Sequence, residues 1–174
     1  MTALRLNREI QPRKHIAKEV PMIEVSAPAP DFTLPQTTGD DVTLSALKGQ
    51  AVVLYFYPRD DTPGCTKESI AFSTHLQEFA DAGAVVFGVS KDSVAKHGKF
   101  TTKHDLSVPL LSDEHGTVCE DYGVWKEKNM YGKVYMGIER TTVLIASDGT
   151  IAQIWPKVKV PNHVEAVLDA VKSL

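Results

Sequence analysis

The chain has 174 residues, of which 43% are hydrophobic, so it is long enough to bury one core and short for two domains. A formal net charge of −3 gives no excess of basic residues and argues against a nucleic-acid-binding protein. No apolar run approaches the roughly 20 residues of a membrane span, so we expect no membrane partner. The two cysteines fit neither a disulfide framework nor a zinc motif, which favours a reducing, cytoplasmic location.

Residues 1–23 are basic and have little apolar periodicity, and we predict that they form an extension to a single domain at residues 24–174. A solvated arm is favoured over a targeting peptide, because Glu9 and Glu19 are acidic and the segment has no serine. Residues 24–35 lead into a short strand. A Gly-Asp-Asp turn at residues 39–41 then predicts a small hairpin.

The apolar run AVVLYFY at residues 51–57 is typical of a central strand that is covered on both faces. Apolar residues then recur at helical spacing as far as Gly83, which predicts one helix. Thr62 suits the N-cap and Pro63 the first helical position. Cys65 is therefore expected to be the third residue of this helix.

The predicted position of Cys65 favours a thiolate, because N–H groups in a first helical turn lack intrahelical acceptors and carry positive partial charge. A free cysteine has a pKa near 8.5, so only about 3% is ionised at pH 7, and lowering that pKa to about 6 requires about 3.4 kcal/mol. A helix terminus supplies only about 0.3 to 2 kcal/mol. A reactive cysteine here needs a second cation from elsewhere; the alternative is a small buried structural residue.

The next elements continue a strand and helix alternation. Residues 84–90 predict a second buried strand, parallel to the first because a helix connects them. Residues 93–105 predict a basic helix, whose lysines either face solvent or dock an acidic reductant. Its histidines, His97 and His104, lack the Cys, Asp or Glu that would complete a metal set, so we expect no metal.

The last third of the chain has shorter elements. We predict a strand at 109–112, a helix at 116–122, a polar aromatic loop at 125–135, a hairpin of strands 141–145 and 151–155, and an amphipathic helix at 163–173. A loop of the length of 125–135 often shapes a site.

Pro58, Thr62 and Cys65 form the pattern Pro-x-x-x-Thr-x-x-Cys, and with these residues the chain resembles the peroxiredoxins. The fuller TPGCTKES is similar to the bacterioferritin-comigratory, or PrxQ, branch, and the similarity extends over residues 24 to 173. Further similar segments are APAPDFTL, VFGVSKDS, PLLSDEHG, YGVWKEKNMYGKVYMGIERTT and IASDGTI. The resemblance implies an α/β, thioredoxin-like fold with a central mixed sheet flanked by helices, and a thiol-dependent peroxidase that needs no cofactor.

The resemblance also implies roles for individual residues. Cys65 is implied to attack a hydroperoxide and become a sulfenic acid, Thr62 to position the peroxide, and Pro58 to shield the sulfur. Arg140, in GIERTT, is implied to be the activating arginine and would supply the missing cation. From its position alone, an arginine before an apolar strand is usually a surface residue.

Two neighbours of Cys65 are candidates for support of this site. Gly64 precedes the cysteine directly. Glu68 lies among the polar positions of the helix, one turn beyond Cys65, where it either orients Arg140 or is solvated.

The chain departs from the branch in its second cysteine. Members often carry a resolving cysteine five residues after the first or in the following helix, and those positions here are Ile70 and approximately Thr101. We therefore expect a one-cysteine enzyme, whose sulfenic acid is reduced by an external thiol such as glutathione, glutaredoxin or thioredoxin. Cys119 is either an inert structural thiol or an alternative resolving cysteine.

Other classes of function remain open at this point. The chain could be a redox sensor or interaction module that uses Cys65 without turnover, or a scaffold with a vestigial site. A general thiol–disulfide oxidoreductase is disfavoured, because the helix start has Thr62 where Cys-x-x-Cys would place its first cysteine. We expect a monomer or weak homodimer.

Overall fold

The computed structural model describes residues 23–174, so the predicted basic extension lies, apart from Ile23, outside the described residues. The strands are β1 (Thr33–Leu34), β2 (Val42–Thr43), β3 (Ala51–Phe56), β4 (Ala84–Ser90), β5 (Leu110–Ser112), β6 (Trp125–Met130), β7 (Lys133–Ile138), β8 (Thr141–Ile145) and β9 (Ile151–Trp155). The α-helices are α1 (Pro63–Thr74), α2 (Leu76–Asp81), α3 (Val94–His104), α4 (Val118–Asp121) and α5 (His163–Lys172), and a 3₁₀ helix covers Leu44–Leu47.

Five strands form a mixed sheet in the order β5-β4-β3-β8-β9. β3 is central, parallel to β4 and antiparallel to β8, and all six of its residues are buried. The predicted central strand, its parallel neighbour and the β8–β9 hairpin are therefore confirmed. The predicted N-terminal hairpin is also confirmed, as the antiparallel pair β1–β2.

Strand alternation sends the side chains of β3 into two separate apolar clusters. Tyr55 stacks on Phe72 of α1 with ring centroids 4.4 Å apart, on the face that α1, α2, α3 and α5 cover. Phe56 contacts Tyr122 with centroids 5.2 Å apart, on the face that the β1–β2 hairpin and α4 cover. Helices on one face and a hairpin with a short helix on the other explain why β3 reads as a continuous apolar run.

Two sequence predictions were wrong in detail. The single helix predicted up to Gly83 is divided at His75, whose ψ of 5° leaves the helical range, into α1 and α2. The loop predicted at 125–135 is instead the antiparallel hairpin β6–β7. Tyr131 and Gly132 form its turn, both with positive φ, which is the geometry of tight two-residue hairpin turns. The sequence did not show these strands because neither one buries an alternating apolar face.

The remaining helices agree with the sequence pattern. α3 begins after Ser93, whose hydroxyl accepts a hydrogen bond from the N–H of Lys96, and α5 buries Val164, Val167 and Val171 as predicted. Within residues 23–174, no helix has the length and apolar character that crossing a membrane demands.

Candidate active site

The loop between β3 and α1 carries the predicted cysteine. Thr62 occupies the N-cap position with an extended backbone (φ −98°, ψ 154°), Pro63 begins the helix and Cys65 is its third residue. Thr62 is thus the N-cap residue, as predicted, although its side chain makes no capping bond and its hydroxyl instead donates to the carbonyl of Arg59 at 2.9 Å. The first-turn N–H groups of α1 are therefore not used by Thr62 and remain available to a ligand.

Arg140 contacts the sulfur of Cys65 from a distant part of the chain. Its Nη2 donates to Sγ at 3.3 Å, across 75 positions of sequence. The sheet register explains this contact, because Thr141 of β8 is paired with Phe56 of β3, so Arg140 lies at the same end of the sheet as the loop that leads to α1. The Cys65 side chain is almost fully buried, and the guanidinium supplies a cation where the helix terminus alone is too weak.

Gly64 leaves the space through which the guanidinium reaches the sulfur. A Cβ atom at this position would lie 3.1 Å from Arg140 Nη2. That distance is shorter than an ordinary van der Waals contact, so a larger residue would require the guanidinium to move.

Glu68 lies on the other side of the same guanidinium. Its Oε1 is 3.5 Å from Nη1 of Arg140, and its side chain is fully buried, so the solvated alternative for this residue was wrong. Burial raises the pKa of Glu68 to about 7, although the charge of Arg140 acts in the opposite direction. Among the described residues, neither carboxylate oxygen of Glu68 has a hydrogen-bond partner.

His163 is a further buried group near Arg140 that the sequence analysis did not single out. Its Nε2 is 2.7 Å from the hydroxyl of Thr142, two residues after Arg140. Burial and then the positive charge of Arg140 lower the pKa of His163 to about 4, so the imidazole is neutral at physiological pH. A neutral ring adds no competing cation beside the guanidinium.

A buried hydrogen-bond network, which the sequence pattern did not indicate, also joins the active-site loop to α3. His97 is fully buried, with Nδ1 2.6 Å from Asp60 Oδ2 and Nε2 2.9 Å from the carbonyl of Leu111. Tyr57 donates to the other oxygen of Asp60 at 2.6 Å. His97 is therefore a buried residue of the helix that was predicted to be basic. A signal was available, because His97 lies three residues before Phe100, another buried residue of α3.

Next to this network, the exposed carboxylate of Asp61 is 2.7 Å from Lys103 Nζ and 2.8 Å from His104 Nε2. Two consecutive aspartates of the loop thus contact the same helix.

Cys119 is not brought to this site. It lies in the apolar cluster on the opposite face of the sheet from Cys65, and both thiols are buried and free. Burial and the nearby Asp113 carboxylate, which accepts the Cys119 N–H at 2.8 Å, raise the pKa of the Cys119 thiol. Such a thiol is a poor nucleophile. In the described part of the chain, no group of three or more His, Cys, Asp or Glu side chains is arranged to hold a metal ion.

Several known proteins are similar in sequence to this chain over most of its length. The model of the AhpC/TSA family matches residues 25–154. The chain belongs to the AhpC/TSA family. A putative peroxiredoxin Bcp of Coxiella burnetii is 54% identical over 146 residues, which make up 84% of this chain and 97% of the relative. Peroxiredoxin Bcp of Bacillus subtilis is 47% identical over 152 residues, or 87% of this chain and 97% of the relative.

Solved structures of peroxiredoxins are similar as well. The bacterioferritin comigratory protein of Xanthomonas campestris superposes with a TM-score of 0.81 at 45% identity, covering 88% of this chain and 96% of that one. A cysteine-to-serine mutant of Xylella fastidiosa PrxQ gives 0.83 at 38% identity, covering 88% and 98%. The predicted thioredoxin-like fold and the predicted enzyme class, a peroxiredoxin of the Bcp or PrxQ branch with thiol-dependent peroxidase activity, are thereby confirmed.

Proposed function

We propose that this peroxiredoxin reduces hydrogen peroxide and organic hydroperoxides through Cys65 by a one-cysteine mechanism. The observation that carries the proposal is the 3.3 Å contact from Arg140 Nη2 to Cys65 Sγ, which pairs a buried sulfur with a permanent cation. The thiolate attacks the terminal peroxide oxygen, an S–O bond forms as the O–O bond breaks, and the leaving alkoxide or hydroxide takes up a proton. Cys65 becomes a sulfenic acid, and an alcohol or water is released.

Stabilising the thiolate is not sufficient for this reaction, because the nucleophilicity of a thiolate falls as its pKa falls. The peroxide must also be held in line with the sulfur while charge develops on the leaving oxygen. We assign this task to the free N–H groups of the first turn of α1, the hydroxyl of Thr62 and the guanidinium of Arg140. Thr62 would exchange its bond to the Arg59 carbonyl for one to the substrate.

Three further residues support the arrangement. Pro58 follows β3 and is half-buried, which suits the shielding of the sulfur from water. Gly64 keeps the space beside the guanidinium open, and Glu68 orients the guanidinium from its other side. We place all of these residues in one peroxiredoxin domain at residues 24–174, with residues 1–23 as an extension.

The substrate range is proposed from the relatives. The similar Xanthomonas protein has alkyl peroxide reduction activity. We extend that activity to this chain and place it in the cytoplasm.

The positions of the two thiols support the proposed one-cysteine mechanism. Cys119 is separated from Cys65 by the central sheet, and Ile70 and Thr101 stand where the branch often carries a resolving cysteine. The sulfenic acid therefore reacts with an external thiol, for which glutathione, glutaredoxin and thioredoxin are the candidates. No second subunit is needed to complete the chemistry, which is consistent with a monomer or weak homodimer.

A peroxidase assay with each of the three reductants, applied to Cys65→Ser and Cys119→Ser, tests this proposal. We expect Cys65→Ser to abolish turnover and Cys119→Ser to keep it. Mass spectrometry after one equivalent of peroxide should show Cys65 with one added oxygen. An intramolecular disulfide between Cys65 and Cys119 would overturn the one-cysteine mechanism, and full activity of Cys65→Ser would overturn the whole assignment.

A further inference from the structure

Glu68 is a fully buried ionisable side chain whose proton the reaction described so far does not use. Within residues 23–174, both of its carboxylate oxygens lack a hydrogen-bond partner. The same holds for Nη1 of Arg140, the atom that lies 3.5 Å from Glu68 Oε1. A buried polar group without a hydrogen-bond partner costs free energy and therefore calls for a functional explanation.

Glu68 and Cys65 share one guanidinium group. Arg140 Nη2 lies 3.3 Å from Cys65 Sγ and Arg140 Nη1 lies 3.5 Å from Glu68 Oε1, so two acidic groups contact different nitrogen atoms of the same cation. Glu68 follows Cys65 by three positions in α1, which places both side chains on one face of this helix. In the described residues, no other cation lies within the 4.0 Å of an ion pair from Glu68. One positive charge therefore serves two potential negative charges.

One cation cannot fully compensate two buried anions. A thiolate at Cys65 and a carboxylate at Glu68 would leave a net negative charge in a buried place, and two like charges in one site raise each other's proton affinity. The N-terminus of α1 favours the negative charge on Cys65 over Glu68, which lies one turn further from it. Burial also raises the pKa of Glu68 to about 7, against the effect of Arg140. While Cys65 is a thiolate, the site therefore favours a proton on Glu68.

The other ionisable groups around this site do not change their charge near neutral pH. Tyr55 of β3 donates its hydroxyl hydrogen to Ser69 of α1 at 3.0 Å, and burial raises its pKa well above the ordinary value, so it stays protonated. His163 of α5 is neutral, because burial and then the positive charge of the guanidinium lower its pKa to about 4. Apart from Cys65, Glu68 is thus the group of this cluster that can gain or lose a proton near pH 7.

Oxidation of the sulfur removes one of the two potential negative charges. Attack on the peroxide turns the thiolate of Cys65 into a neutral sulfenic acid, while the leaving alkoxide or hydroxide takes up a proton. The guanidinium of Arg140 then has one anionic partner instead of two. The carboxylate form of Glu68 becomes more favourable, so its proton is held less tightly.

We propose that Glu68 stores a proton while Cys65 is a thiolate and releases it when the sulfur is oxidised, which keeps the charge of the buried site constant. This inference rests on the proposed function of Cys65. The thiolate, the protonated carboxyl group and the hydroperoxide give the sulfenic acid, the carboxylate and an alcohol or water, so each side carries one negative charge. Glu68 does not touch the reacting atoms and acts through Arg140. It takes a proton back when the external thiol restores the thiolate.

The test counts the protons taken up when the reduced protein reacts with one equivalent of hydrogen peroxide in the absence of a reductant. Thiolate absorbance in the ultraviolet, with Cys65→Ser as the blank, first verifies that Cys65 is ionised. Mass spectrometry gives the amount of sulfenic acid, and a pH indicator in weakly buffered solution reports the proton uptake. A thiolate without a proton-storing neighbour takes up one proton for each sulfur oxidised, because the leaving hydroxide becomes water.

At pH 7, we expect the wild type to take up about half a proton fewer per oxidised Cys65 than Glu68→Gln, whose amide has no proton to release. The difference should vanish near about pH 9, where Glu68 has already lost its proton. The exposed Glu127→Gln is the matched control and should take up as many protons as the wild type. Infrared difference spectra of the wild type need no variant, and they should show that oxidation removes the carbonyl stretching band of a protonated carboxyl group.

Equal proton uptake in the wild type and Glu68→Gln at pH 7 would overturn the role of Glu68. An equal difference in Glu127→Gln, or an infrared spectrum in which oxidation changes no carboxyl band, would overturn it as well. A low thiolate absorbance, or a failure of peroxide to oxidise Cys65, is a different result and counts against the proposed function instead. The two failures are therefore distinguished at separate stages of the same experiment.

Discussion

Glu68 Oε1 lies 3.5 Å from Arg140 Nη1, and within the described residues neither atom has a hydrogen-bond partner. A buried carboxylate that is paired with a cation but not hydrogen-bonded is only partly compensated for its loss of hydration. This explains why burial outweighs the cation and raises the pKa of Glu68 from 4.5 to about 7. The charge beside the proposed catalytic arginine therefore changes near neutral pH.

The raised pKa of Glu68 makes stability depend on pH in a defined direction. Between about pH 4.5 and pH 7 the native state binds more protons than the unfolded state, so the contribution of this group is greatest at low pH and is lost as the pH rises. Relative to Glu68→Gln, we expect the wild type to lose on the order of 2 to 3 kcal/mol between pH 5 and pH 8. Urea unfolding at the two pH values measures this difference. The exposed Glu127→Gln is the control, and a parallel pH profile for wild type and Glu68→Gln would contradict the assignment.

Replacement of Arg140 tests the cation that contacts the sulfur. In Arg140→Met, we expect formation of the sulfenic acid by hydrogen peroxide to slow by about 10²- to 10³-fold, as for loss of one preorganised donor to a developing charge. Stopped-flow measurement of Cys65 oxidation gives this rate directly. Arg59→Met removes an exposed arginine from the active-site loop and should change the rate little. Oxidation of Arg140→Met at the wild-type rate would show that the contact has no catalytic role.

Gly64→Ala should disturb the same contact without removing any polar group. The added Cβ would lie 3.1 Å from Arg140 Nη2, so the guanidinium must shift away from Cys65. We expect oxidation of Cys65 to slow by about tenfold, because a small misplacement of a catalytic group is costly. Gly98→Ala in α3 is the matched change, since nothing lies within 4 Å of its added Cβ; it should leave the rate unaltered and stabilise the fold by about 1 kcal/mol. Equal rates for both variants would refute the steric argument.

The buried contacts of His97 predict that replacing this residue lowers the free energy of unfolding. Both ring nitrogens lie within hydrogen-bond distance of an oxygen, Nδ1 of the Asp60 carboxylate and Nε2 of the Leu111 carbonyl, so the buried ring is held at both ends. In His97→Leu, both acceptors lose this partner, and we expect a destabilisation of about 3 kcal/mol in urea unfolding. His115→Leu changes a histidine whose side chain is 89% exposed and should cost less than about 0.5 kcal/mol. Similar stabilities for the two variants would mean that the network contributes little.

Much of the framework around Cys65 could be predicted from local sequence. The apolar run that became β3, the Thr62-Pro63 helix start and the third helical position of Cys65 depend on residues within a few positions of one another. The hairpin β6–β7 was not predicted, because no local sequence signal of this kind marks it. Its strands are too exposed to show an alternating apolar pattern, and the turn at Tyr131 and Gly132 carries no strong turn signal.

The sequence by itself therefore determined the position of the sulfur and its place at a helix start, because backbone geometry there is a local property. Only the tertiary structure decided which charges surround it. The burial of Glu68 against Arg140 and the pairing of His97 with Asp60 each depend on contacts between elements far apart in the chain. The physical reason is that burial and charge interactions depend on distance in space, and the antiparallel pairing of β8 with β3 sets that distance for Arg140 and Cys65.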